Sequence, residues 1–112
     1  MAGKKIGREV MEKVGKLKKS IEADGIKVHS IFVYGSYAKG NAHKWSDIDV
    51  CVVSKNFGTK IKEPQNYLWS KRVVLHDYSL EPIGFSYKDF RFSNSPLISE
   101  VRRTGVNIGD KV

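Results

Sequence analysis

Between Asp47 and Ser54 the chain reads Asp-Ile-Asp-Val-Cys-Val-Val-Ser, acids giving way to β-branched residues. Branched side chains fit a pleated sheet, so the run is predicted to be a strand. Successive side chains of a strand point to opposite faces, which puts Asp47 and Asp49 on one side and Ile48, Val50 and Val52 on the other. One side of this strand belongs in a core, and the opposite side carries two neighbouring negative charges.

The flanking elements follow from their own periods. Ile6, Val10, Val14, Leu17 and Ile21 step by three or four and predict an amphipathic helix over Lys5–Asp24, stopped by Gly25. Lys27–Tyr34, with Val28, Ile31, Phe32, Val33 and Tyr34, predicts a buried strand that ends at Gly35 and Ser36; a polar loop then runs through Ser46. Lys55–Lys62 reads as a loop. Pro64 opens a helix carrying Tyr67, Leu68, Lys71, Val74 and Leu75 as far as about His76. Tyr78–Ser86 predicts a third strand, placed at a sheet edge because Pro82 has no N–H to donate. Ser86 and Asp89 are spaced as a helix start, and Pro96–Arg103 predicts a last short helix closed by Thr104 and Gly105.

A chain of 112 residues with 40% hydrophobic residues is expected to form a single domain over 1–112 with one core. Cys51 is the sole cysteine, which excludes an internal disulfide framework and fits a cytoplasmic protein. No apolar run approaches the roughly 20 residues of a spanning helix, so no membrane partner is expected. Twenty Lys and Arg against twelve Asp and Glu give a formal charge of +8, which favours an anionic partner without choosing one. Lys4, Lys5, Arg8, Lys13, Lys16, Lys18 and Lys19 concentrate that charge in the first segment, where a solvated helix face is the favoured reading over a dedicated nucleic-acid surface.

The chemistry gathers in the middle of the chain. Two carboxylates held side by side suit a hard divalent cation such as Mg²⁺ or Mn²⁺; two solvated acids at a strand end are the alternative. A buried strand stopping at Gly35-Ser36 presents backbone N–H groups and a hydroxyl, a surface that phosphate oxygens favour, although Ser36 is equally suited to capping a helix. Ser36 lacks the Gly-x-Ser-x-Gly surroundings of an acyl-transfer nucleophile, and His29, His43 and His76 lack the spacing of a zinc site.

Buried strand, Gly35-Ser36, ten residues, Asp47-Ile48-Asp49 and an apolar continuation together are far more specific than any part. The stretch VYGSYAKGNAHKWSDIDVCVVS, Val33 to Ser54, resembles the signature of the minimal nucleotidyltransferases of the DNA polymerase beta superfamily. The likeness extends more weakly through Leu80-Glu81-Pro82-Ile83 to the Pro96–Val106 segment. It implies an α+β (mixed α/β) fold, with a small mixed sheet flanked by helices. Asp47 and Asp49 would bind the metal that carries a nucleoside triphosphate, and Gly35, Ser36 and Lys39 would meet the phosphates. A third carboxylate is expected on the following strand, where Glu81 falls; Asp77 and Glu100 are the other available acids. Lys39 stands where Arg is frequent, which would remove a forked phosphate contact, and Trp45 stands where a small or acidic residue is usual.

The implied reaction moves a nucleoside monophosphate, AMP from ATP, to an acceptor hydroxyl with Mg²⁺ or Mn²⁺ as cofactor. Larger relatives carry a helical domain over the nucleotide; a chain of this length is expected to have its open face completed by another subunit, as a homo- or hetero-oligomer. The resemblance points to a helical HEPN-type partner, a tyrosine on it as acceptor, and an antitoxin-like role. A non-catalytic antitoxin-like binding subunit is the alternative. A small basic nucleic-acid-binding module, resting on Tyr34, Tyr37 and Trp45 near a basic loop, ranks last.

Overall fold

A computed structural model describes residues 6–40, 42 and 47–112 of the chain. Helix α1, Arg8–Ala23, buries Val10, Val14, Leu17 and Ile21, the stripe expected from their spacing. It begins at Arg8, three residues later than expected, with Gly7 before it as the cap, and ends just ahead of Gly25, which turns through φ 81°. Strand β1 is Ser30–Tyr34, shorter than the Lys27–Tyr34 expected. Of the residues before it, Lys27 is held by side chains, its N–H donating to Asn56 at 2.8 Å and its carbonyl accepting from the Ser54 hydroxyl at 2.6 Å, while the His29 N–H donates to the Val53 carbonyl of β2 at 2.7 Å.

The polar loop after β1 contains a one-turn helix that its composition did not suggest, α2, Ser36–Lys39. Gly35 turns the chain into it at φ 75°, and the Lys39 N–H closes the turn on the Gly35 carbonyl at 3.0 Å. Ser36 is the first residue of this helix and not its cap. The expectations at Asn41, His43, Lys44, Trp45 and Ser46 lie outside the described residues. Strand β2, Ile48–Ser54, begins one residue after Asp47.

Helix α3, Pro64–Val74, crosses from β2 to β3, Leu80–Ser86, and these two strands pair in parallel. Leu68 and Lys71 turn inward, but Val74 is exposed, contrary to the expected apolar face; the helix stops there and the chain departs through His76 at φ 52°. Helices α4, Tyr87–Phe92, and α5, Pro96–Thr104, start on Ser86 and Ser95, whose hydroxyls accept from the Asp89 and Ile98 N–H groups at 3.0 and 3.1 Å. A short strand β4, Val106–Asn107, not foreseen from the sequence, adds antiparallel to β1.

Among the described residues the sheet has the order β3-β2-β1-β4, with β1 antiparallel to β2. This is the mixed α+β architecture expected, and β3 occupies the edge that Pro82 required. One face carries Ile31, Val33, Ile48, Val50, Val52 and Leu80 into the main core with α1 and Leu68 of α3. Phe57, in the stretch read as a polar loop, also belongs to that core. The other face carries a smaller cluster, Cys51, Val53 and Val101, ringed by aromatic residues of α4 and the strands. No described helix is long and apolar enough to cross a membrane.

Candidate functional site

The register of the strands assembles the site. Tyr34 of β1 is opposite Asp49 of β2, and Asp49 is beside Glu81 of β3. Neighbouring strands lie about 4.8 Å apart, so these three side chains form a row on the face away from the main core. Asp47, two residues before Asp49 and exposed, lies close enough to Asp49 and Glu81 for its charge to act on both.

Gly35 fixes the row from above. Its φ of 75° and ψ of −146° belong to a region open essentially to glycine alone. A Cβ placed there would collide with the Asp49 carboxylate, so the absence of a side chain is what lets the turn close over that acid. Ser36 follows directly at the start of α2, half-buried beside the turn. Lys39, at the end of α2, is exposed and lies 3.7 Å from Glu100 of α5, which brings a fourth acid to the border of the row.

The electrostatics follow from this crowding. Burial raises the Asp49 carboxyl above its ordinary value, and the charges of Asp47 and Glu100 raise it further. Glu81 is raised by burial and by the charges of Asp47 and Asp49, with Arg72 acting in the opposite direction. Tyr34 is raised by burial and by the charges of the acids around it. Burial pushes the Cys51 thiol up to about 12, which leaves it a packing residue.

Of the expected site residues, Gly35, Ser36, Asp47, Asp49 and Glu81 come together, and Lys39 reaches the edge. Asp77 does not join them. It accepts from the Ser79 N–H at 3.1 Å, forming a turn ahead of β3, and lies 3.9 Å from Lys13 of α1. Tyr34, which the sequence did not assign to the row, and Glu100, which it offered only as an alternative third acid, are the further neighbours. Tyr34 was legible in principle, being one residue before Gly35 on a strand. Glu100 was not, because only the docking of α5 brings it there.

The donor set is entirely oxygen, the kind that suits a hard divalent cation, and the mutual elevation of the carboxyl groups is what a cation would relieve. Among the described residues, however, no three His, Cys, Asp or Glu side chains already enclose an ion-sized position. The arrangement gathers ligands on one face without closing them into a cage.

Residues 14–100 match the nucleotidyltransferase domain family. A protein of Methanocaldococcus jannaschii, provisionally named a protein adenylyltransferase, is 34% identical over 86 residues, covering 77% of this chain and 51% of the relative. The chain thus spans about half the length of that curated relative. Among solved structures, a toxin–antitoxin with AMP-PNP is similar at a TM-score of 0.59 and 22% identity, over 84% of this chain and 70% of the other. A mutant of the toxin–antitoxin MntA-HpeT gives 0.57 and 19% over the same shares. A protein of Sulfolobus solfataricus, named by inference as a nucleotidyltransferase, gives 0.55 and 20%, over 96% of this chain and 90% of that one. At these identities the structural likenesses establish a shared fold.

Proposed function

The chain belongs to the nucleotidyltransferase domain family, and from that membership we propose that it transfers AMP from ATP to a hydroxyl of a partner protein. The observation that carries this reading is the strand register that sets Asp49 beside Glu81 under the Gly35 turn. A transferase acting on a nucleoside triphosphate needs oxygen ligands for a cation and donors for phosphate within one small face; Asp47, Asp49 and Glu81 supply the first. The Gly35-Ser36 turn supplies the second, through backbone N–H groups and the Ser36 hydroxyl.

In the proposed reaction the acceptor oxygen bonds to the α-phosphorus, the bond from that phosphorus to the β-phosphate bridging oxygen breaks, and pyrophosphate departs. The acceptor proton passes to a carboxylate of the row, with Glu81 the nearest to the open sheet edge. Gly35 holds Asp49 in place, and Ser36 orients the triphosphate. Lys39 exchanges Glu100 for phosphate oxygens as the nucleotide enters, a point-charge contact without the fork an arginine would give. Bound at Asp47, Asp49 and Glu81, Mg²⁺ or Mn²⁺ would supply charge neutralisation at the reacting phosphate.

ATP as donor and a protein as acceptor are supported by the name of the Methanocaldococcus relative, and a paired toxin–antitoxin setting by the folds that resemble this one. We take the partner to be a helical HEPN-type protein and the acceptor to be a tyrosine on it, with the transfer serving an antitoxin-like role. The test is to incubate the purified chain with Mg²⁺, α-labelled ATP and the protein encoded next to it. Label is expected on a tyrosine of that partner. Transfer that persists undiminished in Asp49→Asn would overturn the assigned site.

A further inference from the structure

The acids occupy one end of the sheet, and the other end is built in the opposite charge. Lys55 follows β2, Tyr87 follows β3 and His29 precedes β1, so all three gather at the end away from Asp47, Gly35 and Glu81. A seven-residue strand places these two ends about 20 Å apart. At the far end a cleft of about 590 Å³ is lined by Phe85 and Tyr87 together with Lys55, Lys62 and Lys88, with the buried Phe57 at its base. A second cleft of about 310 Å³ is lined by His29, Phe32, Tyr87 and Phe90, with Arg91 and Arg102 beside them. Tyr87 lines both, so the two clefts adjoin at its side chain, and the basic, aromatic surface they make together is the trough.

The trough's side chains are already arranged as cation upon ring. The Lys55 ammonium lies 5.2 Å from the Tyr87 ring centre, Arg91 donates to the Tyr87 hydroxyl at 3.2 Å, and the Arg102 guanidinium lies 5.6 Å from the Phe90 ring centre. Five Lys and Arg line the two clefts against one acid, Asp89. Cations spread along a trough suit an anion that repeats, and aromatic walls suit flat apolar rings between the charges. An acidic peptide satisfies the first requirement only, and a duplex keeps its bases paired away from the walls.

We propose that this trough binds single-stranded nucleic acid, at a surface separate from the carboxylate row. The phosphates run along Lys55, Lys62, Lys88, Arg91 and Arg102, and unpaired bases rest against Tyr87 and its neighbours. The test is fluorescence anisotropy of the full chain with a labelled single strand of about 12 nucleotides, within the site sizes common for such surfaces. Binding is expected to weaken with salt, with a logarithmic slope of about −2 to −3.5, corresponding to roughly three to five phosphates neutralised. The triple change Lys55→Ala, Lys62→Ala and Lys88→Ala, all at exposed positions, should weaken binding about tenfold or more and flatten the slope. Removing like charges elsewhere, by Lys16→Ala with Lys19→Ala on α1, should change it less than about twofold. Asp49→Asn should bind as the unaltered chain does, which keeps this result independent of the transfer reaction. No binding at moderate salt, equal loss from the α1 changes, or equal competition by polyglutamate or by duplex would overturn the proposal.

Discussion

The two faces of β2 are made from alternate residues of one short run and do opposite things. Ile48, Val50 and Val52 are almost fully buried in the main core, where close packing sets the energy. On the reverse, Asp49 is half-buried among other acids that raise its pKa, while Cys51 and Val53 pack with Val101 further along the strand. Period-two alternation therefore lets adjacent residues be devoted to stability and to chemistry with little interference. The second face still needs its small apolar pad, which anchors α5 and with it Glu100.

The sharpest separation is expected at Asp49. Asp49→Asn should lower AMP transfer by about a thousandfold, the several kcal/mol typical of lost electrostatic clamping at phosphate. Its thermal midpoint should hold or rise, because the change removes a crowded negative charge. Radiolabel transfer and a melting curve on the same preparation measure both. Its neighbour should behave in reverse: Ile48→Ala empties a core position and is expected to cost about 2–5 kcal/mol by urea denaturation, with transfer per folded molecule close to that of the unaltered chain. Should the two variants show the same profile, the division between faces fails.

Gly35→Ala crosses the division. The backbone conformation alone should cost about 1–3 kcal/mol, and the new methyl group would push the Asp49 carboxylate aside, so stability and transfer should fall together. A variant that melts lower but transfers normally would mean that the glycine serves the turn and not the acid.

The smallest expected effect concerns a charge used for structure. Lys71 of α3 is buried and bonds Asp24 at 2.6 Å, just past α1; that bond, with a second from Tyr67, holds the Asp24 carboxyl below its usual range. A carboxyl lowered by folding stabilises above its unfolded pKa, and the contribution disappears as pH falls through the lower folded value. Asp24→Asn should therefore melt slightly lower at neutral pH and lose less on acidification. A parallel pH profile for the two proteins would show that the pair contributes nothing. Here one charge satisfies another, whereas the acids of the row are pressed together.

The legibility of each element depended on how local its cause was. The α1 stripe, the helix start at Ser86, the β2 alternation and the edge position of Pro82 were readable because each follows from steric or hydrogen-bonding rules acting within a few residues. Val74 misled because the spacing of an apolar residue does not reveal where its helix ends. Phe57 was hidden by polar neighbours, and β4 by having only two residues, too few to show a period.

For the site, the sequence by itself placed Asp47 and Asp49 two apart at the start of a strand, where alternation favours a common side, and put Gly35 and Ser36 in the bend after a buried strand. Which acid stands beside Asp49 was decided only in three dimensions. Glu81 is there because β3 pairs in parallel at that register, and Asp77 is elsewhere because it closes a turn three residues before the strand. Glu100 arrives through the packing of Val101, and the basic trough through the convergence of three strand ends. Neighbours along the chain are fixed by covalent geometry, but partners across strands and helices are chosen by burial of the whole core, which no short stretch of residues encodes alone.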